Sequence, residues 1–178
     1  MTADAPDPLD LPPSAWLLVN ADLIPRPGRA LDVACGRGRH ALFLAERGLA
    51  VTAVDRDPRA LEGLRAEAAR RRLTVEARIV DLETGEADLG REAFDLVVVS
   101  HYLHRPLFPA LVRAVAPGGL LFYETFTVEQ ARLGKPRHPD FLLKHGELQK
   151  RLRPMTIVRE RDGLIEGRHL AAVVARKP

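Results

Sequence analysis

The sequence predicts an α/β chain, a doubly wound and mostly parallel sheet of seven strands that finishes in an antiparallel hairpin. Two observations carry this prediction. Beyond Pro27, short apolar runs alternate with longer amphipathic stretches, the pattern of strand–helix–strand units joined by right-handed crossovers. The last two apolar runs break the alternation, because only the turn residues around Asp162-Gly163 and Glu166-Gly167 separate them.

Residues 1–13, MTADAPDPLDLPP, are acidic and proline-rich and read as a loose tail without the basic start and apolar run of a secretory signal. Residues 14–178 are expected to form one domain. Within it, Ser14 to Ile24 carries Trp16, Leu17, Val19 and Leu23 at helix-like spacing and stops before Pro25 and Pro27, a lid or brace over 14–27. Ala30 to Ala34 follows as a strand, Gly38 to Arg47 as a helix closed by Gly48, and Ala50 to Val54 as a second strand. Asp57-Pro58 opens a helix with Leu61, Leu64 and Ala68 on one face, and Arg70 to Arg72 suit its dipole at the far end. Val75 to Val80 and Phe94 to Val99 are the next strands, the second an unbroken apolar run of the kind buried on both faces. Leu107, Leu111, Val112 and Val115 form a helix face that ends at Pro117-Gly118-Gly119, ahead of a fifth strand from Leu120 to Phe126. The 128–145 stretch is polar and irregular, Gly146 to Leu152 fits a short helix, and Met155 to Arg161 and His169 to Arg176 are the two hairpin strands.

Composition narrows the function classes. At 178 residues and 46% hydrophobic content the chain fits one ordinary core, and no apolar run approaches the ~18–20 residues that span a bilayer. A single cysteine, Cys35, rules out an internal disulfide and any multi-cysteine zinc site, and the scattered histidines lack metal-ligand spacing. The 27 basic residues are nearly balanced by 24 acidic ones, so the net charge of +3 gives no nucleic-acid footprint. The expectation is a cytoplasmic protein, monomer or homodimer, with neither nucleic acid nor membrane as a partner and no metal.

The chemistry concentrates in Leu31-Asp32-Val33-Ala34-Cys35-Gly36-Arg37-Gly38-Arg39-His40, between the first strand and the first helix of the sheet. Glycines there let backbone approach a ligand, and a carboxylate at the strand end accepts hydrogen bonds from ammonium or hydroxyl groups. Gly36 to Ala41 alone also fits the dinucleotide fingerprint G-x-G-x-x-G/A. Three acids at successive strand ends, Asp32, Asp55 and Asp81, argue otherwise. An aspartate beside the glycine turn repels a pyrophosphate and welcomes a cationic amino-acid end, while a carboxylate after the second strand suits ribose hydroxyls.

These residues resemble the class I S-adenosylmethionine-dependent methyltransferases, whose fold is Rossmann-like. Leu31 to Gly38 is similar to that family's D-x-G-C-G-x-G loop, Val54-Asp55 to its ribose-binding acid and Val80-Asp81-Leu82 to its adenine-contacting acid. Phe94-Asp95-Leu96-Val97 and Pro117-Gly118-Gly119-Leu120-Leu121 resemble its fourth strand and the turn into its fifth. Ala34 departs from the pattern by replacing the loop's first glycine, a mild change if the position has an ordinary φ. Among such enzymes, the C-G-R-G-R-H wording resembles the small tellurite-resistance and thiol-type methyltransferases.

The resemblance implies S-adenosyl-L-methionine as cofactor, with Asp32, Ala34, Cys35, Gly36 and Gly38 around its amino-acid end, Asp55 and the adjacent Arg56 at the ribose, Asp81 and Leu82 at the adenine, and Ser100 under the methionine. Cys35 reads as a packed side chain rather than a nucleophile. The acceptor-side candidates follow the fourth strand: His101 and Tyr102 first, then His104 and Arg105, which either orient, deprotonate or bind an acceptor or merely cap and pack. Glu124, at a buried strand end, needs a partner: it either pairs structurally with Arg39, Arg132 or His138 or binds substrate. The expected reaction is in-line methyl transfer to a small-molecule acceptor such as a thiol or chalcogen, with 128–145 as an acceptor-side insert. The alternatives are a non-catalytic cofactor-binding module and an NAD-dependent oxidoreductase.

Overall fold

The computed structural model describes residues 11–85 and 87–178, so most of the expected 1–13 tail lies outside the described residues. Seven strands form one sheet in the order β3-β2-β1-β4-β5-β7-β6. These are β1 (Gly28–Val33), β2 (Leu49–Asp55), β3 (Val75–Ile79), β4 (Phe94–Ser100), β5 (Val115–Phe126), β6 (Thr156–Ile165) and β7 (Arg168–Arg176). The first five run parallel, and β7 enters antiparallel between β5 and β6. The order reverses at β1, flanked by β2 on one side and β4 on the other, so the carboxyl ends of β1 and β4 frame the crevice where ligands of doubly wound sheets bind.

Strand alternation divides the core between the two faces. Leu31, Val33, Val97, Val99, Leu121 and Tyr123 pack on the face shared with α4 (Phe108–Ala114) and α6 (Glu147–Arg151). Ala30, Val51, Leu96, Val98, Leu120 and Phe122 pack on the other, under α1 (Ala15–Val19), α2 (Arg39–Glu46) and α3 (Pro58–Arg71). The 14–27 segment is built into this second face: Trp16 and Leu17 are buried, and Trp16 Nε1 donates to the Val173 carbonyl at 3.2 Å. Asp57 caps α3 as its sequence announces, and Arg71 at the helix end pairs with Glu46 at 2.8 Å.

Two boundaries differ most from the sequence reading. Val115, placed on a helix face by its spacing, is instead the first residue of β5 and pairs with Phe94. The next pair is Leu96 with Leu120, so residues 116–119 bulge from the strand, where Pro117 lacks the N–H that helix continuation would use. In the hairpin, the strand continues past Asp162-Gly163 to Ile165, and the chain reverses at Glu166-Gly167, with φ of 49° and 76°. Two consecutive positive φ values match the right-handed strand twist of a two-residue hairpin.

Candidate functional site

The glycine loop is held from two sides. The Cys35 N–H donates to the Val54 carbonyl at 3.1 Å, and the Gly36 N–H donates to Asp55 Oδ2 at 2.8 Å, so the loop after β1 is tied to the end of β2. Asp55 Oδ1 also accepts from the Asp57 N–H at 3.0 Å. Gly38, at φ 83°, begins α2 with no room for a β-carbon, because the Leu64 side chain lies against it. Ala34 has φ 53°, so the condition for a mild alanine substitution is not met: a β-carbon sits in the left-handed region, at a cost of about 1 kcal/mol.

Asp32 is buried, and its Oδ2 accepts from the Ala41 N–H at 3.0 Å, supplying the cap that Gly38 lacks. Burial pushes its carboxyl up to about 7, against the Ala41 bond and Arg39. Cys35 is buried as well, and its thiol is driven well above the usual range by burial and by Asp32 and Asp55, which suits packing rather than nucleophilic attack.

Two cavities meet at the carboxyl edge of the sheet. The first, about 260 Å³, lies at the switch point and is lined by Ala34, Asp55, Arg56, Val80, Asp81, Leu82, Glu83, Ser100, His101 and Tyr102. Of the sequence-predicted cofactor residues it gathers Ala34, Asp55, Arg56, Asp81, Leu82 and Ser100. Asp32, Cys35, Gly36 and Gly38 stand behind it, shaping the loop rather than lining the space. Asp81 Oδ1 accepts from the Glu83 N–H at 2.9 Å, and Arg56 faces Glu83 at 3.6 Å across exposed surface. Ser100 Oγ and the Tyr102 hydroxyl are buried there without a hydrogen-bond partner among the described residues, two polar atoms that a ligand in this cavity would satisfy. Burial, with Glu83 next, pushes the Tyr102 hydroxyl up to about 12.

The second cavity, about 370 Å³, shares His101 with the first. Its walls are the 11–15 segment with Leu18, the tip of the hairpin at Ile165, Glu166 and Arg168, and the side chains of Arg39, Glu124, Arg161 and Leu170. His101 has φ 56°, and its N–H donates to the Glu124 carbonyl at 2.8 Å while the ring stacks on Phe126 with centroids 5.0 Å apart. Its Nε2 is 3.9 Å from Glu124 Oε1. Burial, then Arg39 and Arg168, lower its imidazole to about 4, so the ring is neutral near pH 7.

The remaining candidates are placed elsewhere. The Arg105 guanidinium lines neither of these two cavities: its Nε and Nη2 bind Glu147 at 2.7 and 2.9 Å, and Nη1 and Nη2 donate to the carbonyls of Asp140 and Leu142 at 3.0 and 2.8 Å. His104 lines neither cavity either, and its carbonyl accepts from the Leu107 N–H at 3.0 Å as the next helix begins. No residue of 128–145, the expected acceptor-side insert, lines either cavity. That stretch contains α5 (Gln130–Leu133), bridges Thr127 to Leu143 and is pinned by Arg105. Glu124 pairs with Arg161, which sequence reasoning did not reach, rather than with Arg39, Arg132 or His138.

Comparison with known proteins agrees with this geometry. Residues 30–119, half of the chain, match the model of the methyltransferase domain family. Over 100 residues the chain is 37% identical to a ubiquinone biosynthesis O-methyltransferase of Methylocella silvestris, covering 54% of this chain and 39% of that protein. It thus spans less than half the length of the first curated relatives it matches. The fold superimposes on the crystal structure of TehB from Haemophilus influenzae with TM-score 0.75 at 19% identity, covering 90% of this chain and 61% of that one. It also superimposes on an S-adenosylmethionine-dependent methyltransferase from Aquifex aeolicus with TM-score 0.74 at 17% identity, covering 97% and 94%. Those two likenesses bear on the fold; the family rests on the 30–119 match, which runs from β1 through the glycine loop and the acids after β2 and β3 to the entry of β5, and by it the chain belongs to the methyltransferase-domain family, in the S-adenosylmethionine-dependent class I.

Proposed function

We propose that the chain transfers the methyl group of S-adenosyl-L-methionine to a small acceptor, a thiol or chalcogen that reacts as its anion. The observation that supports this most is that His101 belongs to two cavities at once, one carrying the acids and unpartnered hydroxyls that suit the cofactor, the other free for an acceptor. Asp55 would take the ribose hydroxyls, Asp81 and Leu82 the adenine, and Ser100 and Tyr102 the polar edges of the methionine end. When bound, the cofactor supplies an electrophilic methyl group on a sulfonium.

The acceptor chemistry follows from the ionisable groups around His101. A neutral imidazole with so low a pKa is a weak proton acceptor, and Tyr102 holds its proton. What the second cavity offers is positive charge from Arg39 and Arg168, Arg161 being paired with Glu124. Cations stabilise an anionic nucleophile and acidify a thiol whose ordinary pKa is ~8.5, so deprotonation by solvent suffices. With the cofactor held there, its sulfonium would supply the methyl group that the thiolate sulfur takes up, the electron pair of the broken methyl–sulfonium bond staying with the departing sulfur. His101 and Tyr102 orient the two partners and keep water out, which is how most of the rate arises in such a displacement.

The test has two readouts. S-adenosylhomocysteine is expected to raise the melting temperature and NAD to leave it unchanged, since a ligand that binds only the native state stabilises it by RT ln(1 + [L]/Kd). Incubation with S-adenosylmethionine and a panel of thiols, selenols, phenols and amines is expected to give S-adenosylhomocysteine with the thiols and selenols. Cofactor binding without turnover on any member would leave a non-catalytic binding module.

A further inference from the structure

We infer that the second cavity selects acceptors carrying a carboxylate on a short apolar body, gripped by the guanidiniums of Arg39 and Arg168. This rests on the methyl-transfer reading and specifies its substrate class.

The cavity brings three guanidiniums and two carboxylates together. They are not equivalent. Arg161 is committed to Glu124, and its Cζ lies 4.9 Å from the ring centre of Trp16. The other carboxylate, Glu166, sits on the exposed hairpin turn, and no ion pair joins it to Arg168, which is itself exposed at the start of β7. Arg39 is half-buried and donates through Nη1 to the neutral Pro12 carbonyl at 3.2 Å; Glu124 and Asp32 act on its charge through space, but no carboxylate among the described residues pairs with it directly. The Arg168 side chain has no hydrogen-bond or ion-pair partner among the described residues. Both cations are sensed at His101, the residue that joins this cavity to the cofactor side, so their field reaches the junction.

The rest of the wall fixes the shape of the ligand. Leu11, Pro12, Leu18, Ile165 and Leu170 give the cavity an apolar lining around the charged groups. A molecule that satisfies both has a few methylenes and one anionic end. The planar guanidinium fork binds a carboxylate through two parallel hydrogen bonds, which an ammonium or a neutral alcohol cannot supply. The nucleophilic atom at the other end of such a molecule is then directed toward His101 and the first cavity.

A matched pair tests this. Full-length protein with S-adenosylmethionine is offered 3-mercaptopropionate or 1-propanethiol, which share the thiol and chain length and differ in the carboxylate. The anion is expected to show a kcat/KM about tenfold or more higher. In Arg168→Gln and in Arg39→Gln that preference is expected to shrink to about threefold or less, while the S-adenosylhomocysteine affinity of Arg168→Gln by calorimetry stays within twofold of the wild type. Equal use of the two thiols by the wild type, or a preference that survives both substitutions, overturns the inference while leaving methyl transfer intact. If neither thiol turns over, calorimetry on the S-adenosylhomocysteine complex decides: binding of 3-mercaptopropionate that is lost in Arg168→Gln supports the inference, and absence of binding overturns it. Failure of the wild type to bind S-adenosylhomocysteine removes the methyl-transfer reading itself, and this inference with it.

Discussion

Arg161 on β6 pairs with Glu124 on β5 across the full width of the strand between them. In register, both stand opposite Ala172 of β7, and alanine is small enough for the guanidinium to pass over it. Glu124 is almost fully buried and Trp16 lies along the arginine, so the pair ties the terminal hairpin, the central sheet and the 14–27 segment together at the floor of the second cavity.

A buried ion pair is costly to break from one side, because the surviving charge is left without compensation. Arg161→Met is therefore expected to lower folding stability by about 3 kcal/mol. Adding Glu124→Gln removes the orphaned charge and is expected to restore more than half of that loss. Urea unfolding of the wild type, both single variants and the double variant measures the coupling. Additive single effects would mean that the two side chains stabilise the fold independently.

The pair also marks where the sequence stops being legible. Periodicity locates the parallel strands and the glycine loop, because those signals are local: Asp55 and Gly36 are 19 residues apart yet belong to one strand–loop–helix–strand unit. Glu124 announces that it needs a partner, but the partner depends on which strand lies between β5 and β6 and in what register, and neither is written in local spacing. Arg105 is left open by the sequence for a similar reason. Its position after β4 points to the cavity, whereas Glu147, 42 residues away, takes its guanidinium. The second cavity is hardest to foresee, since its walls come from residues near 11–18, the hairpin tip and β5, joined only by the closed fold.

His40 carries the clearest pH dependence. It is buried, its Nε2 accepts from the Ser14 N–H at 3.1 Å, and it is therefore a neutral ring protonated on Nδ1. Burial, then Arg39 and His101, lower its pKa from 6.5 to about 3. Below 6.5 the unfolded chain binds a proton that the folded chain refuses. The stability that His40 contributes is thus complete above 6.5 and is lost as pH falls toward 3. Asp32, raised to about 7, acts in the opposite sense between 3.8 and 7, so the His40 effect must be isolated by comparison. Between pH 7 and pH 5 the wild type is expected to lose about 2 kcal/mol relative to His40→Gln, which keeps an acceptor for Ser14 but does not titrate. Parallel curves for the two proteins in chemical denaturation would assign the proton elsewhere.

Asp55 has two duties that separate experimentally. Its oxygens accept from the Gly36 and Asp57 N–H groups, and its side chain lines the first cavity. Asp55→Ala is expected to weaken S-adenosylhomocysteine binding by roughly 10- to 100-fold, the loss of about 1–3 kcal/mol in hydrogen bonds to a charged group. Asp55→Asn keeps an acceptor for Gly36 and is expected to retain most of the folding stability while still binding less tightly. Calorimetry on both variants measures the binding, and thermal melts track the loop. Unchanged affinity in the alanine variant would leave Asp55 with the loop alone.

His101 reports the field of the second cavity directly. Its imidazole is held near 4 by burial and by Arg39 and Arg168, although Glu124 Oε1, 3.9 Å away, favours the charged ring. Removing a cation lowers the cost of protonation, so the pKa is expected to rise in Arg39→Gln and, by a smaller amount, in Arg168→Gln. Carbon–proton NMR of the labelled imidazole from pH 3 to 8 follows this without any need for turnover. A ring whose titration ignores both substitutions would show that burial alone sets its pKa and that the arginines lie too far into solvent to act there. If the ring does respond, His101 is neutral throughout the physiological range and its protonation leaves no inflection in the rate between pH 6 and 8. An inflection in kcat there then belongs to the bound acceptor, and it is expected to move to higher pH when either arginine is replaced, because a bound thiol that loses a nearby cation holds its proton more tightly.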